Sequence, residues 1–228
     1  MKRVDSPALV LVRHGESEWN RENRFTGWED PPLTSRGRDE ARATAQTMRA
    51  AEITFDAAFV SYLRRAVETL WLIQQEMDLM WLPAATDCRL NERHYGALQG
   101  EDKTETTRRH GEKQVHLWRR GYEERPPPGG ILRVADHRYA ETEIPRGENL
   151  ADTRARAAAC YEERILPLLR ARRRALVVAH GNSLRALMMH LGGIAPADAM
   201  RLEIPTGGAA AYRTDENGVP LPPHFFIN

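Results

Sequence analysis

Two cysteines, Cys88 and Cys160, are all that 228 residues contain. They lie far apart, without the spacing of a metal site or redox pair, so a reduced, cytoplasmic setting is expected. Lysine is also scarce: Lys2, Lys103 and Lys113 are the only three among 33 basic residues. The net charge is +1, which provides no global field for nucleic acid or a membrane surface. Long apolar runs are missing too. None approaches the roughly 18 residues of a membrane span. The first run follows Lys2 and Arg3, extends for about five residues and is cut by Arg13, too short for a signal-peptide core. Any anionic partner must therefore be drawn by local placement of cations.

What is present is a set of α/β signals. Hydrophobic residues make up 41% of the chain, enough for a real core, and the length suits one large domain over 1–228. Residues 8–13 read as a buried strand, apolar throughout as central parallel strands are. A long polar loop covers 14–33. Thr34 can cap a helix over 35–51, with Ala41, Ala45 and Met48 on one face. Phe55 to Ser61 reads as a second strand. A helix over 64–78 follows, with Val67, Leu70, Trp71 and Gln74 at helical spacing. Residues 103–120 suit one or two short helices. Residues 121–147, with Pro126-Pro127-Pro128-Gly129-Gly130, show no period and read as a lid-like excursion. Glu148 to Arg170 reads as a long helix kinked by Pro167. Ala175 to Ala179 is another apolar strand, a helix resumes over 183–191, and 202–213 suggests a strand or hairpin.

Two of these strands end alike, in Arg13-His14-Gly15 and in His180-Gly181-Asn182-Ser183. In a parallel sheet both ends lie on one edge, where open α/β sheets place ligands. Two imidazoles can then face one pocket. Neutral imidazole attacks phosphorus and leaves again, so His14 can carry a phosphoryl group. Nearby cations such as Arg13 and His180 would favour its neutral form, and a loop carbonyl could hold its other N–H. His180 would be the electrostatic partner. Arg13 and one of Arg64 and Arg65 are candidate guanidinium forks. Glu92 can exchange a proton with an alcohol oxygen if bound phosphates raise its pKa. No metal site is expected, because His94, His110 and His116 lack a ligand pattern. Arg119-Arg120 and Arg172-Arg173-Arg174 lack interleaved aromatics, so nucleic acid is not expected either.

Several blocks carry a resemblance. Leu11-Val12-Arg13-His14-Gly15-Glu16-Ser17-Glu18-Trp19-Asn20 and Asn23-Arg24-Phe25-Thr26-Gly27-Trp28 come first. Leu63-Arg64-Arg65-Ala66, Thr69-Leu70-Trp71 and Leu90-Asn91-Glu92-Arg93-His94-Tyr95-Gly96-Ala97-Leu98-Gln99-Gly100 follow. Trp118-Arg119-Arg120-Gly121, the run Ala179 to Ala186 and Ile204-Pro205-Thr206-Gly207 complete the series. In this order they resemble the 2,3-bisphosphoglycerate-dependent phosphoglycerate mutases of the histidine phosphatase superfamily. The resemblance implies a three-layer α/β/α sandwich with a mostly parallel central sheet. It implies interconversion of 3-phosphoglycerate and 2-phosphoglycerate, with 2,3-bisphosphoglycerate as primer and no metal. It makes His14 the phosphorylated residue, Glu92 the proton donor and acceptor, and His180 the stabiliser of the moving phosphoryl group. Arg13, Asn20, Arg65, Gly181 and Asn182 would bind that group. Ser17, Thr26, Gly27, Tyr95, Lys103, Arg119 and Arg120 would bind the substrate's other anionic groups. A homodimer or homotetramer is implied, with no membrane or nucleic-acid partner.

The chain departs from this pattern at 125–147, which look shortened, and at 208–211, Gly-Ala-Ala-Ala, where the family has bulkier residues. Its tail from Pro220 lacks lysines. Two other readings use the same residues: a phosphatase with water as acceptor, and a phospho-ligand binding protein without catalysis. A second anion subsite formed by Lys103, Arg119 and Arg120 is what separates a mutase from a phosphatase.

Overall fold

Strand β1 (Leu9–Arg13) is buried on both faces, which is why it reads as an unbroken apolar run. Leu9 and Leu11 pack into one core cluster, Val10 and Val12 into another. The computed structural model describes residues 7–129, 138–139 and 144–226. Within them, β1 joins β2 (Ala57–Val60), β3 (Ala84–Thr86), β4 (Ala175–Ala179), β5 (Ala209–Tyr212) and β6 (His224–Phe226) in one sheet of order β3-β2-β4-β1-β5-β6. The β3-β2, β2-β4 and β4-β1 pairings are parallel; β5 and β6 add antiparallel.

Helices cover both faces. Between β1 and β2 lie α1 (Glu18–Arg21) and α2 (Ser35–Ala50), and α3 (Arg64–Glu76) follows β2. Side chains of α2 and α3 (Ala45, Met48, Ala66, Leu70 and Ile73) pack on Val10, Val12, Val60 and Val178. On the other face, α6 (Leu150–Cys160), α7 (Leu166–Arg170) and α8 (Gly181–Gly192) cover Leu9, Leu11 and Val177. This is the expected three-layer α/β/α sandwich. Two short helices, α4 (Lys103–His110) and α5 (Glu112–Arg120), stand beyond the sheet edge where β1 and β4 end, and α9 (Pro196–Ala199) is a single turn. Val115 and Trp118 of α5 bury against Phe25, Tyr95 and Leu98, so a separate small core carries Lys103, Arg119 and Arg120. Among the described residues no helix is long and apolar enough to cross a membrane.

Some expectations need correcting. Strand two is shorter than Phe55–Ser61, and α3 ends at Glu76 rather than residue 78. The buried face of α3 is Ala66, Leu70 and Ile73, so Trp71, one position from Leu70, turns outward and is 60% exposed. The expected helix Glu148–Arg170 is two helices. Asn149 caps α6 through a reciprocal pair with Asp152, so Glu148 stays outside it. Pro167 has no N–H to donate, and a π turn at Tyr161–Ile165 shifts the hydrogen-bond register just before it, with Leu166 N–H reaching Tyr161 O. Helix α8, which follows β4, starts two residues earlier than expected, at Gly181. β3 and β6 were not expected; three residues such as Ala84-Ala85-Thr86 carry no hydrophobic signal. The excursion at 121–147 lies partly outside the described residues. Its Pro127 carbonyl accepts the Ala97 N–H at 2.9 Å, so the proline run docks beside the Glu92 segment.

Candidate active site

The register of β1 and β4 pairs Arg13 with Ala179. The next residue in each strand is a histidine, and the His14 N–H extends the ladder to Ala179 O at 3.0 Å. His14 and His180 therefore share one sheet edge by construction. Gly15 permits the tight turn that follows. A Cβ there would lie 2.0 Å from Gly37 O, and a Cβ on Gly37 would lie 2.0 Å from Glu16 O. The loop backbone and the first turn of α2 touch directly, which only two glycines allow.

His14 Nδ1 lies 2.6 Å from Gly15 O. A carbonyl only accepts, so Nδ1 carries the proton and Nε2 holds the lone pair. Arg65 Nε–H donates to Nε2 at 3.2 Å, while its Nη1 and Nη2 donate to Glu29 O and Gly27 O. Burial lowers Arg65 to a pKa of about 10, still a cation. This decides between Arg64 and Arg65: Arg64 is exposed on the outside of α3. Burial first, then Arg65 and Arg13, hold His14 well below the ordinary imidazole value. His14 is thus a neutral nucleophile with its tautomer set.

His180 is fully buried, with its ring centroid 4.9 Å from that of His14. It is not the cation that the sequence suggested. Burial, with Arg65 next, holds it well below the ordinary value, so it is neutral. Its Nε2 lies 2.7 Å from Ser61 Oγ, which also accepts the Leu63 N–H at 3.2 Å. Among the described residues the Ser61 hydroxyl proton has no acceptor other than Nε2, which directs it there and leaves the His180 proton on Nδ1. That Nδ1 is buried and has no partner among the described residues; nor has Arg13 Nε. Arg13 Nη1 is held by Ile204 O at 2.7 Å. Burial, the leading cause, lowers the Arg13 pKa.

Glu92 enters from the connection between β3 and α4, its carboxylate accepting the backbone N–H of Asn182 at 3.1 Å and of Arg93 at 2.8 Å. Asn182 Nδ2 donates to Tyr95 Oη at 3.0 Å, and its Oδ1 accepts from Arg185 and Arg93. A cleft open to solvent gathers these groups. Arg13, His14, Asn20, Thr26, Gly27, Arg65, Glu92, Tyr95, Lys103, Arg119, Arg120, Gly181 and Asn182 all line it. Ser17 and His180 do not. Ser17 is buried and caps α1, donating through Oγ to Asn20 Oδ1 at 2.9 Å, so it holds Asn20 instead. His180 is fully buried edge to face with His14.

Four further residues line the cavity: Arg24, Arg185, Glu203 and Ile204. Arg185 had a signal, three residues after Asn182 on a helix that begins at the site. Glu203, paired with Arg120, had none. Seven cationic side chains face two carboxylates here. Burial, then Arg119 and Arg13, lower Lys103 to a pKa of about 8. Such crowding of like charge suits a ligand with more than one anionic group. Among the described residues no cluster of His, Cys, Asp and Glu could hold a metal ion.

Residues 9–221 match the histidine phosphatase superfamily, branch 1. This chain belongs to that superfamily. Its members work through a phosphohistidine without a metal, and the neutral His14 among arginines is the residue here with the chemistry for it. The fold is similar to that of YhfR from Bacillus stearothermophilus, with 26% identity, a TM-score of 0.70, and 95% of this chain and 93% of that one covered. It is also similar to a mycobacterial glucosyl-3-phosphoglycerate phosphatase solved with VO3 (22%, TM-score 0.72, 97% and 98% covered). The alpha-ribazole phosphatase of Shigella flexneri is another such structure (22%, TM-score 0.66, 92% and 91% covered).

Proposed function

We propose that this superfamily member is a phosphoglycerate mutase, interconverting 3-phosphoglycerate and 2-phosphoglycerate with 2,3-bisphosphoglycerate as primer. The observation that carries this reading is the convergence of Lys103, Arg119 and Arg120 on the cavity that holds His14. A second cationic subsite lets a doubly anionic intermediate turn without escaping.

In this reading His14 Nε2 attacks the phosphorus of one phosphoryl group of the bisphosphate. The N–P bond forms, the P–O bond breaks, and the electron pair stays on the leaving oxygen, which takes a proton from Glu92. Arg13, Arg65 and the His180 Nδ1–H donate to the three equatorial oxygens. On phospho-His14 the 2-hydroxyl of 3-phosphoglycerate loses its proton to Glu92 and attacks the phosphorus, the N–P bond breaks with its electron pair returning to Nε2, and the bisphosphate forms; it then turns and gives its 3-phosphoryl group to His14, releasing 2-phosphoglycerate. Asn20, Gly181 and Asn182 bind the phosphoryl group in flight. Ser17, Thr26, Gly27 and Tyr95 belong to the substrate side, Ser17 through Asn20. The reading includes a cytoplasmic homodimer or homotetramer.

A second reading is a phosphatase acting on a small phosphorylated metabolite, with water attacking phospho-His14. The names of the similar solved structures favour it, since two of those above are phosphatases. One assay separates the two: 3-phosphoglycerate with catalytic bisphosphate, following 2-phosphoglycerate and inorganic phosphate together. The mutase reading expects 2-phosphoglycerate with little phosphate. Stoichiometric phosphate without 2-phosphoglycerate overturns it in favour of the phosphatase. Intact-mass detection of an acid-labile adduct that His14→Ala abolishes tests what both readings share.

A further inference from the structure

Arg156 lies on α6, outside the cavity, yet all five of its N–H donors are used around Glu92. Nε and Nη2 grip the two oxygens of Glu148 at 2.7 and 2.8 Å. Nη1 donates to the carbonyls of Arg89 and Asn91, both at 2.7 Å, and Nη2 donates to the Glu92 carbonyl at 2.9 Å. Glu148, itself buried, also accepts the His94 N–H at 2.8 Å, and its own N–H returns to His94 O. The pair thus holds the main chain at 89, 91, 92 and 94. Beyond a single 3-10 turn at Cys88–Leu90, that segment has no regular structure to hold it until the turn at Gly96–Leu98.

An isolated buried ion pair is a poor source of stability, because desolvation offsets most of its attraction. Geometry is what this one supplies. A planar guanidinium fixes acceptors in a fork that a lysine ammonium cannot reproduce. A proton donor on an irregular loop depends on such external support, since a misplacement near 1 Å costs on the order of 100-fold in rate. We propose that Arg156, braced by Glu148, is the positioning residue that sets Glu92 for proton transfer to the leaving oxygen. The inference rests on the reading of Glu92 as proton donor.

The test compares two phosphoryl donors to His14 in the full-length enzyme. With 2,3-bisphosphoglycerate the leaving group is the alkoxide of a monophosphoglycerate, which needs a proton. With 2,4-dinitrophenyl phosphate the leaving group is the stable 2,4-dinitrophenolate, which needs none. Labelling rates are read by intact mass for the wild type, Glu92→Gln, Arg156→Lys and Glu148→Gln, with a thermal melt of each. The expected result is that Glu92→Gln and Arg156→Lys slow labelling from the bisphosphate by tenfold or more, on the scale of a lost general acid. Both label from the aryl ester near the wild-type rate. Glu148→Gln gives the same split more weakly. Arg156→Lys slowing both donors alike would mean general damage to the site and overturn the assignment, as would an unchanged bisphosphate rate. Should Glu92→Gln itself show no split, the reading of Glu92 fails and the inference with it. A split in Glu92→Gln but not in Arg156→Lys removes only the inference.

Discussion

His14 and His180 meet edge to face, one residue beyond the paired ends of two neighbouring parallel strands, with ring planes at 61°. Both rings are neutral for the same first reason, burial, and take the same tautomer for different local ones. The Gly15 carbonyl holds the His14 proton on Nδ1, and the Ser61 hydroxyl leaves the His180 proton on its own Nδ1. One ring therefore offers a lone pair beside the N–H of the other. That asymmetry is what phosphoryl transfer to His14 requires.

The neutral rings predict the pH dependence of stability. Burial lowers both imidazoles well below 6.5, and burial lowers His94 to about 4. Below pH 6.5 the unfolded chain takes up protons that these folded rings refuse, so stability falls as pH falls. Each ring contributes up to about 1.4 kcal/mol per pH unit between the unfolded and folded values. The melting temperature should be level above pH 7 and drop steadily from 6.5 towards 4.5. His14 labelling by bisphosphate should keep its rate at pH 6. A melting temperature unchanged from pH 6.5 to 5 would show that the rings already carry charge.

Ser61 is expected to affect turnover through His180 alone. Ser61→Ala removes the donor to Nε2 and leaves the Leu63 N–H without its side-chain acceptor, a loss of about 1–3 kcal/mol in stability. With the tautomer no longer held, turnover should fall on the order of tenfold, about 1.4 kcal/mol of barrier. Long-range nitrogen–proton NMR couplings read the tautomer directly. A His180 signal that stays Nδ1-protonated in the variant would remove the argument for Ser61.

How much of this was legible in the chain follows from the range of each interaction. β1 and β4 are continuous apolar runs, and the rule that parallel strands end on one edge brought His14 and His180 together. Arg65 required the structure, because only the turn into α3 decides which of two adjacent arginines faces inward. Ser61 meets His180 across 119 residues, and Arg156 reaches Glu92 across 64. Neither pairing leaves a local spacing to read. Trp71 misled because its helical spacing fits either edge of the α3 face, and only packing on Val60 and Val178 chooses Ala66, Leu70 and Ile73.

Lys103 predicts how the second subsite titrates. Burial, then Arg119 and Arg13, bring its pKa to about 8, so its charge is present below that value and lost above it. Affinity for 3-phosphoglycerate should weaken between pH 7 and pH 9 in calorimetry. Orthovanadate, which needs only the His14 subsite, should show a smaller loss over the same range. Lys103→Met should bind 3-phosphoglycerate weakly at both pH values, with the extra dependence gone. Parallel loss for both ligands in the wild type would place the titrating group near His14 instead.

Glu203 works against that subsite. It lines the cavity from the turn before β5 and pairs with Arg120, the cation that a second anionic group would need. Its side chain is 65% exposed, against 21% for Arg120, so it can swing away, and a pair open to solvent on the carboxylate side is worth about 0.2–1 kcal/mol. A substrate anion must displace it, and as product leaves the carboxylate can return to Arg120. Glu203→Gln frees Arg120, so KM for 3-phosphoglycerate should fall by roughly 1.4- to fivefold. Turnover should hold steady or decline as release slows. Raising the salt concentration should shrink the difference, because exposed charges are screened. A higher KM in Glu203→Gln would mean that this carboxylate receives the substrate, through a hydroxyl or a cationic group, rather than competing with it.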